Sequence, residues 1–145
     1  MGKSLAALAA LVFVAGAPSN AATSEDARLA EIAYEARQAI AVVEWFYVRS
    51  RACPLPSRPA EVATLRDRLG DGYSAEPQGA FLEIRGISMA ESWRYYASPS
   101  HPETCTLLRK LGGGGTLIWR YQRGIERWAL DPGDGRAERP IKPAP

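Results

Sequence analysis

The stretch TCTLLRKLGGGGTLIWRYQRGIERWAL, residues 104–130, decides the fold. Three runs rich in branched and aromatic residues, 104–111, 116–122 and 125–130, are separated by the glycine tetrad Gly112 to Gly115 and by Gln122-Arg123-Gly124. Branched and aromatic side chains fit a pleated, half-buried surface, and short glycine-bearing connections join antiparallel neighbours. A flexible hairpin followed by a tight one is expected. A glycine tetrad can also cradle phosphate, but that use needs a lysine and a following helix. Here Thr116-Leu117-Ile118-Trp119 follows and reads as a strand. Two more runs upstream, 80–87 and 92–98, extend the pattern to an antiparallel meander of four or five strands.

Upstream of residue 79 the period is helical. Thr23 and Asp26 have capping-box spacing, and Glu25-Asp26 is an acidic first turn that a helix dipole favours. Leu29, Ala33, Ala36, Ile40, Val43 and Tyr47 then recur at steps of four and three, along one helix face. Ile32, Ala39, Val42 and Phe46 flank that stripe, so the helix is expected to be largely buried. No proline or glycine interrupts residues 24–51, which predicts one helix of about seven turns. Cys53-Pro54-Leu55-Pro56 stops it, because proline lacks the N–H that the helical ladder needs. A short second helix follows, with Pro59 in its first turn, Val62, Leu65 and Leu69 on its apolar face and Gly70 at its end. Asp71-Gly72 and Pro77 to Gly79 read as a turn and a loop. The fold class is α+β: a long N-terminal helix and a short second helix packed on a four- to five-stranded antiparallel meander.

Residues 1–22 read as a secretory signal peptide, with Lys3, the apolar run Leu5 to Ala17, a Pro18 break and small residues before a cut after Ala21. Gly16 and Pro18 interrupt the run before the roughly 20 apolar residues that a membrane span needs. Residues 23–131 form one domain, and residues 132–145, with Pro140, Pro143 and Pro145, an untethered flexible tail. The expected location is periplasmic or secreted, with no integral membrane segment after leader cleavage. The chain of 145 residues carries 18 Lys and Arg against 16 Asp and Glu, a formal charge of +2. A near-neutral exported chain is not a nucleic-acid partner, which would show a concentrated basic face.

Cys53 and Cys105 are the only cysteines. In an oxidising compartment they are expected to pair as one disulfide. A metal cluster of Cys53, Cys105, His101 and Glu103 is disfavoured, since metal sites declare themselves by two close-spaced pairs. Asp131-Pro132-Gly133-Asp134-Gly135 has the composition of a calcium loop but lacks its regularly spaced acids, and reads as a turn.

In element order, residues 24–131 resemble the globular head of type IV pilins and of the pseudopilins of type II secretion systems: a long N-terminal helix, a proline-containing connector and an antiparallel meander. Those families carry a prepilin-peptidase site ahead of a long apolar helix, whereas here the leader is followed by the polar Thr23-Ser24-Glu25-Asp26. The resemblance implies a pilin-like head without its membrane stem.

No residue set declares a catalytic site or a cofactor. His101, the single histidine, lies between Ser100 and Pro102 in a turn-like stretch. Glu83, Glu91, Glu103 and Glu126 are candidate carboxylates with nothing to select a pair. The aromatic residues Trp93, Tyr95, Trp119, Tyr121 and Trp128 interleave with Arg94, Arg120 and Arg127. Exposed, such a face would stack on a glycan or meet an envelope protein. A small sheet also needs large core residues, and the core reading is preferred for the tryptophans. The sequence supports an exported, non-catalytic envelope protein that acts by binding or assembly, as a pilin-like accessory component. A free periplasmic glycan- or peptide-binding module is the alternative, and an envelope hydrolase a third. The hydrolase requires two carboxylates in one cleft with at least one raised pKa.

Overall fold

A computed structural model describes residues 20–143, with side chains from Ser24 onward. The leader's Lys3, apolar run and Pro18 lie outside the described residues. Among the described residues, three helices, α1 (Asn20–Glu35), α2 (Arg37–Ser50) and α3 (Pro59–Leu69), precede seven strands. These are β1 (Tyr73–Gln78), β2 (Phe81–Gly86), β3 (Trp93–Ser98), β4 (His101–Lys110), β5 (Thr116–Gln122), β6 (Ile125–Asp131) and β7 (Arg139–Ile141). They form one sheet in the order β1-β2-β3-β4-β5-β6-β7, antiparallel throughout.

The five expected runs are β2 to β6, and the meander has two strands more than expected. β1 fills the gap between the expected Asp71-Gly72 turn and the Pro77 to Gly79 loop and runs into that loop; its outward pattern and Pro77 hide its pairing, and only Ala75 is buried. Proline is tolerated there because β1 is an edge strand. β7 lies in the segment expected to be an untethered tail. It pairs Trp128 with Ile141, Ala129 with Pro140 and Leu130 with Arg139.

The expected single helix is two, separated at Ala36. There the ladder tightens: the Ala36 N–H bonds to the Ala33 carbonyl at 3.1 Å, three residues back, before Ile40 N–H returns to the Ala36 carbonyl at 2.9 Å. Buried positions 33, 36, 39 and 42 recur every three residues, a period shorter than the 3.6 of an α-helix. One tighter turn keeps that row against the sheet. On α2 the buried face is Ala39, Val42, Val43 and Phe46, while Ile40 and Tyr47 of the expected stripe are half-buried. α1 begins at Asn20, so Thr23 lies inside the helix and not at its cap. α3 follows the expectation: Pro59 in the first turn, Val62, Leu65 and Leu69 buried, and Gly70 past its end at φ +82°.

The helices cover one face of the sheet. Leu29, Val43 and Leu65 from the helices share a core with Leu82, Ile84, Trp93, Leu107 and Trp119 from the strands. Two ties fix the connector from α2 to α3. Cys53 and Cys105 form a disulfide with Cα atoms 5.6 Å apart, and the Cys53 N–H bonds to the Pro102 carbonyl at 2.7 Å. The buried Tyr95 hydroxyl donates to the Pro54 carbonyl at 2.7 Å. No helix among the described residues is long and apolar enough to cross a membrane.

Candidate functional site

The two edges of the sheet differ, and the difference follows from strand alternation. In an antiparallel pair, each residue turns its N–H and C=O toward one neighbour only, and successive residues alternate. On β1 the two-residue turn pairs Gln78 with Phe81, so Ala75 and Pro77 face outward. The Ala75 carbonyl accepts the Arg66 Nε–H from α3 at 2.7 Å, and Pro77 has no N–H. This edge offers no template for another strand.

On β6 the turn Arg123-Gly124 pairs Gln122 with Ile125, so Glu126, Trp128 and Leu130 face away from β5. β7 takes Trp128 and Leu130. Continuing its register would place Pro143 opposite Glu126, where the ladder requires an N–H that proline lacks. Pro140, by contrast, sits opposite Ala129, where none is required. The Glu126 carbonyl is thus left without an N–H from this segment, and the β7 register ends at Ile141, one hydrogen-bonding position short of Glu126.

That edge borders a groove of about 1080 Å³. Its other wall is the flank of α1 and α2, including Tyr34, Arg37, Ile40 and Glu44, and Trp128 and Pro140 close it toward β7. Tyr34 is 63% exposed and Ile125 56% exposed, so apolar surface stands at both rims. The Arg37 guanidinium lies 4.1 Å from the Tyr34 ring centroid and donates to the Tyr34 carbonyl at 3.0 Å.

One carboxylate organises the β6 side. Glu126 Oε1 accepts the indole N–H of Trp119 at 2.9 Å and of Trp128 at 3.0 Å, fixing both rings. Trp119 stacks on Tyr121, whose ring meets Tyr47 of α2 edge-on at 5.2 Å. Glu44, the one acid of α2, lines the same groove. Its partial desolvation, and secondly the negative charge of Glu126, raise its pKa above the ordinary carboxylate range. Burial, reinforced by Glu44, Tyr47 and Glu126, raises the Tyr121 phenol.

The aromatic and arginine residues singled out in the sequence do not share one surface. Trp93, Tyr95, Trp119 and Trp128 are buried beneath the helices, and Tyr121 is half-buried on the same side. Arg94, Arg120 and Arg127 lie on the opposite face by alternation. Arg120 is held by Glu138 through two bonds of 2.8 Å, which lower the Glu138 pKa. Arg127 is exposed opposite Arg120.

Of the candidate carboxylates, Glu83 pairs with Arg85 and Glu91 with the buried Arg109. Only Glu126 lies in the groove, and its partner there, Glu44, is hidden in sequence inside an apolar run. A signal is nonetheless present, since Glu44 is an acid between Val43 and Trp45. His101 is exposed at the start of β4. Asp131 accepts the Gly133 N–H, and Asp134 accepts the Arg136 N–H and pairs with its side chain, so both act as turn residues. Those Arg136 contacts, the backbone bond first, lower the Asp134 pKa. No family model matches the chain, and no curated protein or solved structure matches it.

Proposed function

We propose that this is an extracytoplasmic, non-catalytic binding module of the envelope whose groove takes an extended peptide segment of a partner protein. The observation that carries this reading is that β7 stops at Ile141 and leaves the β6 edge at Glu126 without a strand neighbour beside the groove, against the blocked edge at β1. A peptide laid along β6 would complete the ladder at Glu126 and place its side chains alternately into the groove and over Arg127. Addition of a partner's strand is also a form of assembly, and a pilin-like accessory component would be held in this way. The buried disulfide supports export to an oxidising compartment.

The test is a photoreactive residue at Ile125, with a control at the exposed Ala63 of α3, both in the native envelope. A protein adduct specific to Ile125 is expected. Equal adducts at both positions, or none at Ile125, would remove the reading.

A second reading, an envelope hydrolase, is favoured by one observation: Glu44 and Glu126 line the same groove and Glu44 has a raised pKa. An acid of raised pKa that shares a groove with a carboxylate fixed by two N–H donors has the arrangement that glycoside hydrolysis uses. Release of reducing ends from cell-wall glycan, lost in Glu44→Gln, would establish it. Inertness toward such glycan would leave the binding module.

A further inference from the structure

We propose that the outward row of α1 and α2 docks on an anionic phospholipid surface. Tyr34, Ala41, Trp45 and Val48 lie on the side of these helices opposite the buried face, at intervals of seven, four and three residues. They form one row about 20 Å long. Tyr34 and Val48 are 63% and 62% exposed, and Trp45 is the one tryptophan that is not buried.

Guanidinium groups cover both aromatic rings of this row. Arg37 lies over Tyr34, and Arg68 and Arg49 lie 3.8 and 5.1 Å from the Trp45 ring centroid. None of these three arginines forms an ion pair among the described residues. Arg28, Arg51, Arg94, Arg123 and Arg127 likewise lack an ion pair among the described residues, whereas Arg66, Arg109, Arg120 and Arg139 are each held by a carboxylate. What distinguishes Arg37, Arg49 and Arg68 is that all three lie over the aromatic rings of one row. Three acids adjoin these residues in sequence, Glu35, Glu44 and Asp67. Glu35 accepts the Ala90 N–H at 3.3 Å, and Glu44 lines the groove on the flank of the row.

Charge and area select the occupant. Three unpaired guanidinium groups call for a surface dense in anions, and Trp45 with Val48 calls for a shallow apolar layer beneath it. An anionic headgroup region supplies both at one depth. A stable protein interface takes about 800 Å² from each partner, far more than four side chains in a single row expose. Tyr34, Arg37 and Ala41 also line the groove, so the docked orientation sets the helical rim of the groove against the lipid.

The test uses the exported protein as the cell produces it, sedimented with vesicles of phosphatidylcholine alone or with one third phosphatidylglycerol. Binding is expected only with phosphatidylglycerol, is weakened by salt, and shifts tryptophan emission to the blue. That shift disappears in Trp45→Phe while sedimentation persists. Each arginine near an anionic surface contributes about fivefold, so Arg49→Gln with Arg68→Gln weakens partitioning about 30-fold. Far-ultraviolet circular dichroism, unchanged in that variant, separates this loss from misfolding. Undiminished sedimentation of the double variant, or no vesicle binding by the native protein, would overturn the proposal. So would a dimer that Val48→Asp dissociates, since the row would then be a contact between copies.

Discussion

Glu126 carries more of this molecule than its exposed position on β6 suggests. Its carboxylate holds two indoles and its main chain forms the open edge, so substitutions separate the two roles. Glu126→Ala leaves two indole donors without their acceptor and is expected to lower stability by about 1–3 kcal/mol, measured by urea unfolding. Glu126→Gln retains an acceptor oxygen and is expected to cost less. Glu44 acts in the opposite sense. Its folded pKa is raised, so the folded state binds a proton that the unfolded chain has lost. Stability therefore falls as pH rises from the ordinary carboxylate range through that raised value. Glu44→Gln removes the fall and is expected to stabilise the protein at neutral pH by about 0.5 kcal/mol or less, since the group is partly solvated. Unfolding at a series of pH values checks both the sign and the window. At this scale the sequence is partly legible: Trp93, Trp119 and Trp128 read as core, whereas Glu126 is one of four candidate carboxylates that nothing distinguishes. The pairing of Glu44 with Glu126 is not legible, because it joins α2 to β6 across the whole domain and no local period encodes it.

At the scale of elements, β2 to β6 are legible because branched and aromatic runs alternate with glycine turns. α3 is legible from proline at one end and glycine at the other. The elements that escape a sequence reading share a cause. β1 and β7 are edges, where one neighbour suffices and the apolar alternation that marks a strand is not required. Three consecutive steps of three at Ala33, Ala36, Ala39 and Val42 signal the tightened turn that separates α1 from α2, although the intervening alanines favour helix throughout. The edges are also where elements meet function. Pro143→Thr restores the N–H that β7 lacks opposite Glu126 and is expected to lengthen β7. The lengthened strand should cover the open edge and abolish the Ile125 photoadduct. At the other edge, Arg66→Ala frees the Ala75 carbonyl. It is expected to cost about 1 kcal/mol and to promote edge-to-edge association, seen as concentration-dependent light scattering.

Across the whole molecule, the disulfide ties the helical layer to the middle of the sheet. Its two cysteines are 52 positions apart, and closing such a loop restricts the unfolded chain by about 4 kcal/mol. Cys53→Ser with Cys105→Ser is expected to lose about that amount in chemical unfolding, and reduction of the native protein to have the same effect. In the proposed function the molecule keeps one sheet edge closed and holds the other open for a partner's extended segment. Amide hydrogen exchange at single-residue resolution along β6 is the sharpest test, on the purified protein and on the protein bound to the partner that the Ile125 photoadduct identifies. An open edge requires fast exchange at Glu126 and slow exchange at Trp128 and Leu130 in the purified protein, with Glu126 becoming slow in the complex. Slow exchange at Glu126 in the purified protein, or fast exchange that the complex leaves unchanged, would contradict it.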